Sequence, residues 1–98
     1  MEFIVAFKKT PQGHLVVVTD KELLGKKFKE KNVVLDMSSS FYEGEVMTLE
    51  EVKSVLRGAY IIHLTGKNSV HLGKELNIIE QNAVLLVQGI PHAQVHLG

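Results

Sequence analysis

Two kinds of hydrophobic spacing succeed each other along the chain. Residues 2–8 and 14–19 are apolar, β-branched runs joined by "KTPQG", where Pro11 suits the second position of a turn and Gly13 its exit, so the pattern predicts a β-hairpin. In "TDKELLGKKF", Thr19 or Asp20 can cap a helix, Glu22 completes a Thr-x-x-Glu box, and Leu24 and Phe28 fall on one face; a short helix follows, weakened by Gly25. "NVVLDM" predicts a strand, and "SSSFYEGE" a polar loop leading to a small strand at Val46. "TLEEVKSVLRGA" is the clearest helix: Thr48 and Glu51 form a capping box, Leu49, Val52 and Leu56 make its apolar stripe, and Gly58 can end it.

"YIIHL" then reads as a buried strand, "TGKNS" as a turn into the helix "SVHLGKEL", and "AVLLVQ" as the next strand, a strand-helix-strand unit of the usual parallel, right-handed kind. "AQVHL" alternates and predicts a last strand. The expected fold is α+β: one compact domain over residues 1–98, its mixed β-sheet built from the N-terminal hairpin and the parallel unit and covered by about three short helices. A 98-residue chain with 45% hydrophobic residues supports one core, burying roughly two thirds of the surface of its unfolded form.

Composition narrows the function classes. The chain has no Cys, which removes disulfides and thiolate zinc sites and makes a reducing cytoplasm the simplest expectation. The opening "MEFIVAFKK" reverses the charge order of a signal peptide, and no run of about eighteen apolar residues offers a membrane span. Eleven basic and eleven acidic residues cancel, which argues against coating nucleic acid by bulk charge. Their distribution is uneven, however: residues 1–31 hold seven Lys against four acids, residues 32–52 five acids and no base.

Three stretches could carry chemistry. "LLGKKFKEK" sets Lys26, Lys27, Lys29 and Lys31 around Phe28; about three phosphate contacts there would give weak, salt-sensitive binding suited to docking on a structured RNA. Phe28 lies four after Leu24, which favours a buried ring. "HLTGKNS" resembles the end of a phosphate loop, but Ile61 stands where the first glycine is required, leaving Lys67 beside the amides of a helix start as a site for a single anion. An Asn68 or Ser69 helix cap is the ordinary alternative.

In "GIPHAQVHLG", strand alternation puts His92, Gln94 and His96 on one face. Four strand steps hold His92 and His96 about 13 Å apart, too far to share one ion. A third partner such as His63 or His71 could join one of them, but nothing in the sequence brings them together, and no metal or cofactor is expected. His92 follows a Gly-Ile-Pro turn that fixes its position, with a hydrogen bond to a neighbouring backbone group as the plain explanation. A cis Ile90-Pro91 bond, found at about one X-Pro bond in twenty, would make the turn more specialised still. The acids Asp36, Glu43, Glu45, Glu50 and Glu51 pair with no nucleophile, and Glu50 and Glu51 suit a helix start.

"VVTDKELLGKKFKE", "VVLDMSSSFYEGE", "GKNSVHLGKELNII" and "GIPHAQV" together resemble, over nearly the whole chain, a small archaeal family catalogued as domain of unknown function 424. The distinctive parts are Leu23-Leu24-Gly25-Lys26, Phe41-Tyr42 with Gly44, and Gly89 with Pro91-His92-Ala93-Gln94. The resemblance implies an archaeal, cytoplasmic protein and a tie to RNA or translation; it carries over no catalytic residue. His71 departs from it, standing where Glu or another good helix former is expected. The leading expectation is a non-enzymatic RNA-binding or ribosome-associated domain using Lys26, Lys27, Lys29, Lys31 and Lys67, with His92 and Gln94 shaping a second contact. The alternatives are a small-molecule or metal-dependent enzyme centred on His92 and Gln94, and a protein-interaction module or homodimer formed through the last strand.

Overall fold

In the computed structural model, which describes residues 1–97, a six-stranded mixed sheet carries two helices on its front face and a small hairpin on its back. The elements run β1 (Glu2–Thr10), β2 (Gly13–Asp20), a 3₁₀ turn (Lys21–Leu23), β3 (Lys27–Glu30), β4 (Val33–Asp36), a second 3₁₀ turn (Ser40–Tyr42), β5 (Glu45–Thr48) and α1 (Leu49–Leu56). They continue as β6 (Ile61–Thr65), α2 (Lys67–Glu75), a third 3₁₀ turn (Gln81–Ala83), β7 (Leu85–Val87) and β8 (Ile90–His96). The sheet order is β5-β1-β2-β6-β8-β7, and β3 pairs only with β4.

The first hairpin forms as its pattern predicts, with Pro11 and Gln12 as the loop and Thr10 closing it: its Oγ1 donates to Gly13 O at 2.7 Å and accepts from Gly13 N at 3.1 Å. The capping box of α1 also forms, Thr48 Oγ1 accepting from Glu51 N at 3.3 Å and Glu51 Oε1 from Thr48 N at 2.9 Å. Three expectations need correction. The helix over residues 19–28 is absent: after one 3₁₀ turn without a side-chain cap, the chain reverses at Gly25 (φ 85°) into β3. There Lys27 and Lys29 face outward while Phe28 turns in against the cluster of Leu23, Leu35, Met37 and Val87. Two α-helices therefore cover the front of the sheet, the other helical pieces being 3₁₀ turns. Finally, β6 and β7 do run parallel, but β8 lies between them and pairs antiparallel with each; the directly bonded parallel pair is β2 with β6.

Alternation divides the strands between two faces. Phe3 and Val5, Val16 and Val18, and Ile62 and Leu64 point to the front, where Val52 and Leu56 of α1 and Val70 and Leu72 of α2 complete the core. On the back, Ala6, Leu15 and Val17 pack beneath Phe41 and Tyr42 of the second 3₁₀ turn.

Asp20, the last residue of β2, shares the front face with Val16 and Val18 and is 2% exposed. Its carboxylate accepts from Asn68 N (2.9 Å), Ser69 N (2.8 Å) and Ser69 Oγ (2.7 Å). The start of α2 is thus capped neither by Asn68 nor by Ser69 but by an acid 48 residues earlier, set at the positive end of the helix. Gly66 precedes that helix at φ 108°, and a Cβ there would stand 2.3 Å from Asp20 Cγ, so only glycine lets the carboxylate approach.

Replacing Asp20 by Ala strands two amides and a buried hydroxyl, which should cost roughly 2–4 kcal/mol. Thermal unfolding followed by circular dichroism should then fall by about 10–20 °C for a domain of this size. Asp20→Asn, which keeps an acceptor, should lose about half as much, and Gly66→Ala should be destabilised along with them.

Candidate functional site: an imidazole and aromatic face on the back of the sheet

The registers of β1, β2, β6 and β8 align back-face residues in rows across the sheet. One row runs Ile4, Thr19, Thr65, His92; the next Ala6, Val17, His63, Gln94; the third Lys8, Leu15, Ile61, His96. Toward β8 each row ends in an imidazole or an amide. His63 stands opposite Gln94 and therefore between His92 and His96, its ring centroid 5.9 Å from that of His92.

Aromatic rings frame these groups. Phe41 meets His63 edge-on at 5.3 Å and Tyr42 at 5.0 Å, while Lys8 Nζ lies 5.1 Å from the Phe41 centroid. Tyr60 meets His96 at 6.4 Å, and Gln94 Nε2 lies 3.3 Å from His96 Nε2. His92 Nδ1 is 2.8 Å from Thr65 Oγ1, so one ring nitrogen is engaged with the neighbouring strand. The bond expected from His92 to a nearby backbone group is thus made to a side chain on the neighbouring strand instead. Thr19, next in that row, holds a buried hydroxyl without a hydrogen-bond partner among the described residues.

Burial disfavours the charged form of both half-buried imidazoles. It pushes His63 down to about 4, helped by His92 and His96, and it lowers His92. At neutral pH these rings are uncharged, offering π faces, one lone pair and one N–H each. Such groups can hydrogen-bond neutral polar edges and stack against planar rings; among the described residues no carboxylate bonds His63 or His92 in the way that orients a catalytic base. Tyr42 is pushed up by burial, with Asp36 adding to the effect. Among the described residues no three His, Asp or Glu side chains could jointly hold a metal ion. His71 lies apart on α2, paired with Glu75 at 2.5 Å.

The residues singled out in the sequence separate into three places. Lys26, Lys27, Lys29 and Lys31 are all exposed on and around β3, whose inward face packs against the back of the sheet through Phe28; no aromatic ring lies open between them. Lys67 is exposed at the start of α2 on the front, where the amides that would cradle an anion are already taken by Asp20. His92 and Gln94 do share the back face. The turn before them is Gln88-Gly89, with φ of 50° and 78°, the two-residue hairpin turn in which both residues adopt positive φ; Ile90 to His96 is strand, and no cis peptide occurs among the described residues.

His63 and Phe41, both half-buried, carry as much of this face as His92 does, while Thr65 and Thr19 are fully buried beneath it. The alternation of Ile61, His63 and Thr65 against Ile62 and Leu64 was the available signal, but which strand lies alongside is not written in any local pattern.

The family model described as "Protein of unknown function (DUF424)" matches residues 7–97. A crystal structure of an uncharacterized conserved protein from Methanopyrus kandleri has a similar fold, with a TM-score of 0.79 over 98% of this chain and 91% of that chain at 18% identity. No curated protein matches the chain.

A histidine whose folded pKa is depressed contributes stability above its unfolded pKa and loses it as pH falls. The His63 contribution should therefore be complete above pH 6.5 and disappear between there and about 4. Urea titrations at pH 7 and pH 4.5 should show a smaller acid loss in His63→Gln than in the unaltered chain, and the His63 Cε1 proton should titrate well below that of a free histidine by NMR.

Proposed function

Since this chain belongs to the DUF424 family, whose description assigns no activity, we propose its function from its surface: a non-enzymatic RNA-binding domain that meets RNA or a ribonucleoprotein, the ribosome included, with the back of its sheet. The observation that carries this reading is the row of neutral imidazoles and aromatic rings on that face. Sheets that recognise single-stranded RNA stack bases on exposed rings and bond the base edges with amides and ring nitrogens, which His63, His92, Gln94, His96 and Tyr60 supply in kind.

The lysine hairpin adds the phosphate contacts. Lys26, Lys27, Lys29 and Lys31 project from the part of the chain that covers the other end of the back face, and none of them belongs to an ion pair among the described residues. Lys67, on the helical side, adds only long-range attraction. With four lysines on one hairpin and only Lys8 beside the stacking surface, affinity is modest and depends on a partner that presents both unpaired bases and backbone. For an enzyme centred on His92 and Gln94, the neighbouring polar groups are Thr65, His63 and His96, a set without a carboxylate.

Fluorescence anisotropy with a labelled single-stranded oligoribonucleotide tests the reading. Three phosphate contacts predict a loss of affinity of roughly 20-fold between 50 and 200 mM salt. Lys27→Glu with Lys29→Glu should weaken binding and flatten that salt dependence, whereas Gln94→Ala with His96→Ala should weaken it without changing the slope. No binding at 50 mM salt would end the proposal.

A further inference from the structure

The sheet has a second feature that RNA contact leaves unused: the outer edge of β8 is only partly paired. β7 covers Ile90 to His92, beginning at Leu85 opposite His92. Continuing that register would set Ala83 against Gln94, but Ala83 N bonds to Glu80 O within the third 3₁₀ turn. Odd-numbered residues of β8 direct their backbone groups to β6, as Gly66 N to Pro91 O (2.9 Å) and Leu97 N to Tyr60 O (2.7 Å) show. The N–H and C=O of Gln94 and of His96 therefore point away from β6, along an edge where no strand follows, and both residues are exposed.

A groove of about 290 Å³ opens on the front at the same end of β8. Leu56, Leu76, Ile78 and Leu97 line it, with Lys53 and Arg57 at its rim, and its size suits one or two side chains rather than a whole cofactor. Lys53 is engaged by Glu50 at 3.7 Å, whereas Arg57 has no ion-pair partner among the described residues.

We infer that residues 93–97 and this groove dock an extended acidic peptide segment of a partner protein. Its backbone adds a strand against Gln94 and His96, an apolar side chain enters the groove, and a carboxylate pairs with Arg57. An added strand takes its affinity from backbone hydrogen bonds and its selectivity from alternate side chains, and the two requirements meet here at one end of one strand. With Lys53 engaged by Glu50, the Arg57 guanidinium is what selects an acidic segment. The surface lies on a backbone edge and the front face, so it is independent of the RNA-binding reading.

The test uses the whole chain, ¹⁵N-labelled, titrated with an octapeptide of alternating Leu and Glu. The amides of Gln94, His96 and Leu97 should shift. The same peptide with Lys in place of Glu, or with a methylated backbone, should bind at least tenfold more weakly. Arg57→Glu should weaken the acidic peptide roughly tenfold. His96→Pro removes an outward N–H without taking a bond from β6, and should weaken binding by roughly fivefold, the worth of one hydrogen bond. An unchanged spectrum of the remaining amides confirms that each variant is folded. Absence of shifts at residues 94–97 with millimolar peptide overturns the proposal. So does a concentration-dependent dimer whose Gln94 and His96 amides are already protected from exchange, because the occupant is then a second copy.

Discussion

The carboxylate of Asp20 is the point on which the arrangement of this molecule turns. It ends β2, and three hydrogen bonds fasten it to the first turn of α2, so the last residue of the N-terminal hairpin and the first turn of a helix over forty residues later share one polar contact. Its burial would be costly without partners, and the exposed amides of α2 would be equally costly without an acceptor. Each satisfies the other. With β2 and β6 hydrogen-bonded side by side, this contact sets α2 over β2, β6 and β8, and the opposite face of the sheet is left to the second 3₁₀ turn and the β3–β4 hairpin.

That contact also explains where local sequence reading succeeds. The Thr48–Glu51 box is visible because both partners lie within one turn, and the first hairpin because its loop is two residues long. Asp20 has equally good credentials as the cap of the segment that follows it, yet its partners are Asn68 and Ser69, and no short-range pattern distinguishes a local cap from a distant one. Phe28 is ambiguous for a related reason: four residues after Leu24 it fits a helical face, and between Lys27 and Lys29 it fits an alternating strand. Gly25, at positive φ, decides for the strand.

The candidate face was partly legible for the same kind of reason. Alternation in "PHAQVH" places His92, Gln94 and His96 together, which the structure bears out, and it separates Ala93 and Val95 toward the core. What the strand could not disclose is its neighbour. His63 gains its significance from standing opposite Gln94, and Thr65 from standing opposite His92, relations created by register alone. The lysines illustrate the converse: adjacent in sequence, they stay adjacent in space, whereas Lys67 belongs to another surface altogether.

The parallel pairing of β2 with β6 has a consequence for the order in which the molecule assembles. The β1–β2 hairpin closes over two residues and can form within microseconds. Joining Thr19 to Thr65 must wait until the whole intervening stretch has been drawn together, and that stretch contains the lysine hairpin, β5 and α1. Until that happens Asp20 is an ordinary solvated acid at the end of a two-stranded ribbon. Folding of this chain is therefore expected to be governed by one late, long-range closure, with the back face coming into existence only when β6 and then β8 are laid down beside a hairpin already in place.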